Sequence, residues 1–144
     1  MINWETDLGR RALTRIASED VFWLTTLAPG GFPQPRPVWF VWEAGSFLIY
    51  STAQARKVAH IQAHPSVALH FNTDAEGGDI QVFLGQARLD PTAPAADVHP
   101  GYSAKYRAGI QGLGLTEARY AALFSVAIRV VPERLRGLEP IPGL

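Results

Sequence analysis

Residues 36–43 read Arg-Pro-Val-Trp-Phe-Val-Trp-Glu, and this run constrains the fold more than any other. Side chains alternate across a strand, so Val38, Phe40 and Trp42 point one way and Trp39 and Val41 the other. Both faces are apolar. A strand of this kind has to be covered on both sides.

Its neighbours supply the cover. Val21 to Leu27 is aromatic and β-branched and reads as a strand, and Ala28-Pro29-Gly30-Gly31 after it is a turn signal. Glu43-Ala44-Gly45-Ser46 turns the two-faced strand into Phe47 to Ser51. Val67 to Asp74 and Ile80 to Asp90 form a further pair across Ala75-Glu76-Gly77-Gly78, and Ser125 to Val131 is the last strand, closed by Pro132. Helical spacing marks Glu5 to Ala17, Ala53 to His64 (ended by Pro65), Tyr102 to Ile110 and Thr116 to Phe124. Pro91 to Pro100 is a proline-rich loop. The expected fold is mainly β with flanking helices: a six-stranded antiparallel barrel, closed or nearly so, with one helix inserted after the third strand. At 144 residues the chain, 1–144, is expected to be one domain.

Charge and composition exclude some functions. Thirteen basic residues balance thirteen acidic ones, which argues against a general nucleic-acid binder. With no cysteine, thiolate metal sites and cysteine nucleophiles are ruled out. Met1 to Arg11 lacks an apolar signal core, and no apolar run approaches the ~18 residues of a membrane helix. A cytoplasmic protein that uses no membrane is the expectation. The sequence contains no GxGxxG after a strand, no Walker A motif and no GxSxG.

The strongest candidate for chemistry is Tyr50-Ser51-Thr52 followed by Arg56 and Lys57. Here a strand runs into a helix with hydroxyls at the junction. The first turn of a helix presents unpaired N–H groups and partial positive charge, so anions bind there, phosphate above all. Two basic residues in that turn oppose the helix dipole, and a bound phosphate would compensate. The residues alone leave a plainer alternative open, a Thr52 N-cap with two solvated basic side chains. A second candidate is Pro37-Val38-Trp39-Phe40, an extended strand against which a planar ring could lie, or which could be ordinary core. His60 and His64 share a helical face but fail the HExxH pattern and read as surface residues. Tyr102, Lys105, Tyr106 and Arg107 read as a basic-aromatic segment of a surface helix that could also line a cofactor tail.

The order of VFWLTTL, PQPRPVWFVWE, SFLIYST and ARKVAHIQAHPSVALHF, continued by KYRAGIQGLG and SVAIRVVPERLRG, resembles the pyridoxamine 5′-phosphate oxidase-like split β-barrel proteins. Within them the chain looks like the actinobacterial branch of deazaflavin (coenzyme F420)-dependent enzymes. The likeness spans about Ser18 to Gly137. It implies a homodimer with cofactor sites at the subunit interface and a small-molecule substrate. It matches Lys57 to the basic residue that meets the cofactor phosphate and Arg56 to a neighbouring basic position. Ser51 and Thr52 match the strand-end positions beside that phosphate, and Tyr50 precedes them in the same candidate segment. Pro37, Val38, Trp39 and Phe40 match the strand along the ring. Arg129 matches a position that reaches the cofactor of the partner subunit. The implied activity is hydride transfer between the bound cofactor and a small organic substrate. F420 is favoured and FMN is the runner-up; Arg36, Lys105 or Arg107 would guide the longer acidic tail. The alternative is a protein that binds or sequesters FMN or F420 without turnover.

Overall fold

The computed structural model describes residues 1–138. Its elements are α1 (Asp7–Ser18), β1 (Val21–Leu27), β2 (Pro33–Trp39), β3 (Val41–Glu43), β4 (Ser46–Ser51), α2 (Arg56–Ala63), β5 (Ser66–His70), β6 (Ile80–Leu89), α3 (Pro100–Gly112), α4 (Glu117–Leu123) and β7 (Val126–Leu138). The strands form one antiparallel sheet in the order β2-β1-β5-β6-β7-β4-β3. The two edges of that order, β2 and β3, are consecutive in the chain and separated only by Phe40. The sheet therefore curls until its edges meet at one residue, which gives a split barrel. Seven strands replace the expected six because the Arg36–Glu43 run divides at Phe40.

The joint at Phe40 is held by α3. The Phe40 N–H donates to Tyr106 Oη at 2.8 Å. Its carbonyl lies 2.8 Å from the same hydroxyl and accepts from Lys105 Nζ at 2.9 Å. Tyr106 has one hydroxyl proton, and the Asp20 carbonyl at 2.7 Å competes for it. Buried backbone groups need partners. Side chains supply them here where the ladder stops.

β2 begins at Pro33, earlier than the expected Arg36. Pro33, Pro35 and Pro37 are spaced by two and so share one side of the strand. An edge strand tolerates prolines on its open side, where no ladder donor is needed. The turn at Ala44 and Gly45 has positive φ at both residues, 50° and 76°, the geometry that matches the twist of a two-residue hairpin.

Two cores explain the two-faced strand. Phe22, Leu24, Val38, Phe40, Phe47, Phe83, Ile128 and Val130 pack inside the barrel, with Phe22 stacked on Phe40 at 4.0 Å. Val41, Leu48, Tyr50, Tyr102, Tyr106, Ile110 and Tyr120 pack outside the sheet, under α3 and α4. The alternation expected for residues 38–42 thus holds. The Tyr102–Arg107 segment, however, is not a surface helix: Tyr102, Tyr106 and Ile110, four apart, are buried. His60 is also buried rather than exposed, and Thr26 Oγ1, 2.9 Å away, satisfies its Nδ1.

Candidate functional site

A cleft of about 240 Å³ opens beside β2. Pro37, Val38, Trp39, Tyr50 and Lys57 line it, all expected from the sequence. Leu113, Tyr120 and Phe124 complete it and were not anticipated. Tyr120 and Phe124 are four apart at the end of α4, a spacing that signals a shared helix face but not which surface it meets.

The floor is a stack of aromatic rings. Trp39 lies on Tyr106 at 4.6 Å and 2° between planes, and beside Tyr120 at 5.7 Å and 18°. Tyr120 stacks in turn on Phe124 at 4.3 Å. Glycine at 109 makes room for this: a Cβ there would sit 3.0 Å from Trp39 Cη2. The hydroxyls around the stack are occupied. Tyr50 Oη donates to the Pro94 carbonyl at 2.6 Å, and Tyr120 Oη meets Tyr102 Oη at 2.7 Å. Burial pushes the Tyr50 hydroxyl up to about 12, and burial also raises that of Tyr120.

The cleft's cation comes from α2. The helix opens at Arg56, not Ala53, and its N-cap is Ala55, which offers no side-chain acceptor. No acid lies in its first turn. Thr52 is therefore not the cap. The backbone N–H groups of Arg56 and Lys57 have no acceptor among the described residues. Lys57 is half-buried; burial, and secondarily Arg36, push its pKa below the usual lysine value. Among the described residues no carboxylate lies within ion-pair distance of Arg36, Arg56 or Lys57. A half-buried ammonium beside a second cation, at an uncapped helix start, is a place where an anion relieves both desolvation and repulsion.

Other expected residues lie elsewhere. Phe40 points into the barrel and is fully buried. Its backbone groups meet Tyr106 of the outer core. Ser51 is buried and its hydroxyl donates to the Thr52 carbonyl at 3.0 Å. Thr52 is half-buried at the bend, and Arg56 is exposed. Arg129 is held within its own chain: Nη1 donates to Glu43 at 2.8 Å, and Nη2 and Nε donate to Asp90 Oδ2 at 3.1 and 3.2 Å. Lys105 lines a different cleft, which shares no residue with this one.

The family profile for pyridoxamine 5′-phosphate oxidase matches residues 8–138, nearly the whole chain. The chain belongs to the pyridoxamine 5′-phosphate oxidase family. No curated protein matches it in sequence. Solved structures match it in fold. A Listeria innocua protein provisionally named a pyridoxamine 5′-phosphate oxidase aligns with TM-score 0.67 and 21% identity, covering 93% of this chain and 100% of its own. A protein named F420 reductase aligns with TM-score 0.58 and 21% identity, covering 81% of this chain and 88% of its own. The haem storage protein of Vibrio cholerae aligns with TM-score 0.63 and 14% identity, covering 92% of this chain and 95% of its own. The family fold thus carries flavin-type oxidoreductases and haem proteins alike. Among the described residues, no helix is long and apolar enough to cross a membrane.

Proposed function

We propose that the Lys57 cleft holds the phosphate and ring of a flavin-type cofactor, and that the protein is an oxidoreductase acting on a small organic substrate. One observation carries this reading: Lys57, half-buried and without a carboxylate partner, stands at an uncapped helix start on the rim of a stacked aromatic cleft. The residues fit the group. Lys57 and the free N–H groups of α2 bind the phosphate. Trp39, Tyr120 and Phe124 hold a planar ring and exclude water from it. Tyr50, tied to Pro94, fixes the wall rather than moving a proton. The cofactor supplies the hydride chemistry when bound, and the chain supplies binding and orientation.

F420 remains the favoured cofactor, with FMN next. The acidic tail of the deazaflavin calls for further cations, and Arg36 beside Lys57 and the exposed Arg56 provide them. The solved F420 reductase supports the same choice by likeness of fold. Haem fits less well. No histidine lines the cleft among the described residues, and the hydroxyls of Tyr50 and Tyr120 are already hydrogen-bonded.

In the proposed assembly a second copy of the chain completes the site as a homodimer. A cleft of about 240 Å³ in one chain takes a ring but not a whole dinucleotide-sized cofactor. The outer sheet face also carries a groove of about 450 Å³ lined by Leu27, Pro33, Ala68 and Leu84, suited to a second copy. Light scattering at micromolar concentration should give twice the chain mass; a monomer would remove this part.

The phosphate assignment is tested by Lys57→Ala. A charge-assisted hydrogen bond contributes about 1.5–3 kcal/mol, so cofactor affinity should fall about ten- to a hundredfold in a fluorescence titration. An unchanged dissociation constant would sink it. Binding without oxidation of the reduced cofactor by any acceptor would make the protein a carrier instead.

A further inference from the structure

The chain has two lysines, Lys57 and Lys105, against eleven arginines. Both are half-buried, and neither pairs with a carboxylate among the described residues. Each lines its own cleft. That of Lys105 measures about 570 Å³ and lies between α1, β3 and the start of α3. Its walls are mostly apolar: Leu13, Ile16 and Ala17 on one side, Val41 and Trp42 on the other.

The polar groups of this cleft are not equivalent. Glu43 accepts from His99 Nε2 at 2.9 Å and from Arg129 at 2.8 Å. His99 Nδ1 accepts the Tyr102 N–H at 3.1 Å and caps α3. That pair is fully engaged. Lys105 is not. One of its N–H bonds meets the Phe40 carbonyl at 2.9 Å, and the ammonium rests 3.7 Å from the centre of the Phe40 ring. Two N–H donors are left over. Glu19 and Asp20 act on it only from beyond ion-pair distance, and Glu19 is already paired with Arg15 at 2.9 Å.

We infer that this second cleft binds a small amphipathic monocarboxylate, with its carboxylate on Lys105 Nζ and its apolar body between Ile16 and Trp42. The inference is independent of the cofactor reading, since the two clefts share no residue. A single ammonium with two free donors suits one carboxylate. A phosphate monoester would bring a second charge towards Glu43 and find no arginine fork in the cleft to meet it, only the Gly101 N–H at the start of α3. Burial lowers the Lys105 pKa to about 8, so the ammonium still predominates at neutral pH and an arriving carboxylate relieves its desolvation.

The probe is 4-(trifluoromethyl)benzoate, titrated against the full-length protein and followed by fluorine NMR. Saturable binding should weaken about tenfold or more in Lys105→Met and for 4-(trifluoromethyl)benzyl alcohol, which keeps the body but lacks the charge. The Lys57→Met variant should bind the probe as the parent does. Lys105 also supports the Phe40 joint, so a second variant is needed should Lys105→Met fail to fold. Ala17→Trp fills the cleft from an exposed helix position and should abolish binding without lowering the melting temperature. No saturable binding, equal affinity for acid and alcohol, or full affinity in Ala17→Trp would overturn the inference.

Discussion

Tyr106→Phe tests how the barrel is closed. The substitution deletes one oxygen and keeps the ring on Trp39, stacked at 4.6 Å. The Phe40 carbonyl retains Lys105, and the carbonyl of exposed Asp20 can turn to water. The Phe40 N–H, buried at the joint of β2 and β3, loses its acceptor. An unsatisfied buried donor costs about 1–3 kcal/mol, and we take about 2. With a urea slope of about 2 kcal/mol per molar for a chain of this size, the midpoint should fall by about 1 M with the slope unchanged. Tyr102→Phe is the internal comparison. Its hydroxyl meets only Tyr120 Oη at 2.7 Å and no backbone group, so a loss of about half that is expected. If Tyr106→Phe unfolds no earlier than Tyr102→Phe, the hydroxyl does not hold the joint.

Three further outcomes follow from the same geometry. Arg11, with Gln81 and Arg15, holds the Asp79 carboxyl at about 2, and Thr92 with Arg129 does the same for Asp90. Both pKa values lie below the unfolded value of about 3.9, so their stabilisation is present above pH ~4 and lost as pH falls through ~2. Urea unfolding between pH 5 and 2 should show this loss, and Asp90→Asn should flatten part of it. Gly85→Ala places a Cβ 2.2 Å from the Val131 carbonyl at the β6–β7 bulge, where nothing flexible can yield. A loss of about 3 kcal/mol or more is expected in thermal melts. Gly109→Ala presses on Trp39 at 3.0 Å and should weaken cofactor binding about threefold to tenfold, while helix propensity keeps the melting temperature at or above that of the parent.

What could be read from the sequence was set by partners close along the chain. Val38, Phe40 and Trp42 against Trp39 and Val41 is a period-two pattern, and the structure places the two sets in separate cores. The turn at Ala44-Gly45 is equally local. The break at Phe40 was not legible, because Tyr106, which causes it, lies 66 residues away. The partner that satisfies buried His60, Thr26, lies 34 residues away. The Arg129 partners within the chain, Glu43 and Asp90, lie 86 and 39 residues away, and no local pattern signals them. Lys57 is legible as a candidate because its oddity is local, a basic residue in a helix's first turn. The rings around it come from α4, whose docking no nearby residue signals.

Lys57 and the aromatic cleft are the proposed seat of a flavin-type cofactor. The absorbance spectrum of the purified protein, alone and titrated with FMN or F420, decides whether they hold one. A bound flavin or deazaflavin band that saturates at one cofactor per chain in the parent, and shifts to about ten- to a hundredfold higher cofactor concentration in Lys57→Ala, is the predicted result. A spectrum that never shows a retained or titratable cofactor, or a titration that Lys57→Ala leaves untouched, would contradict it.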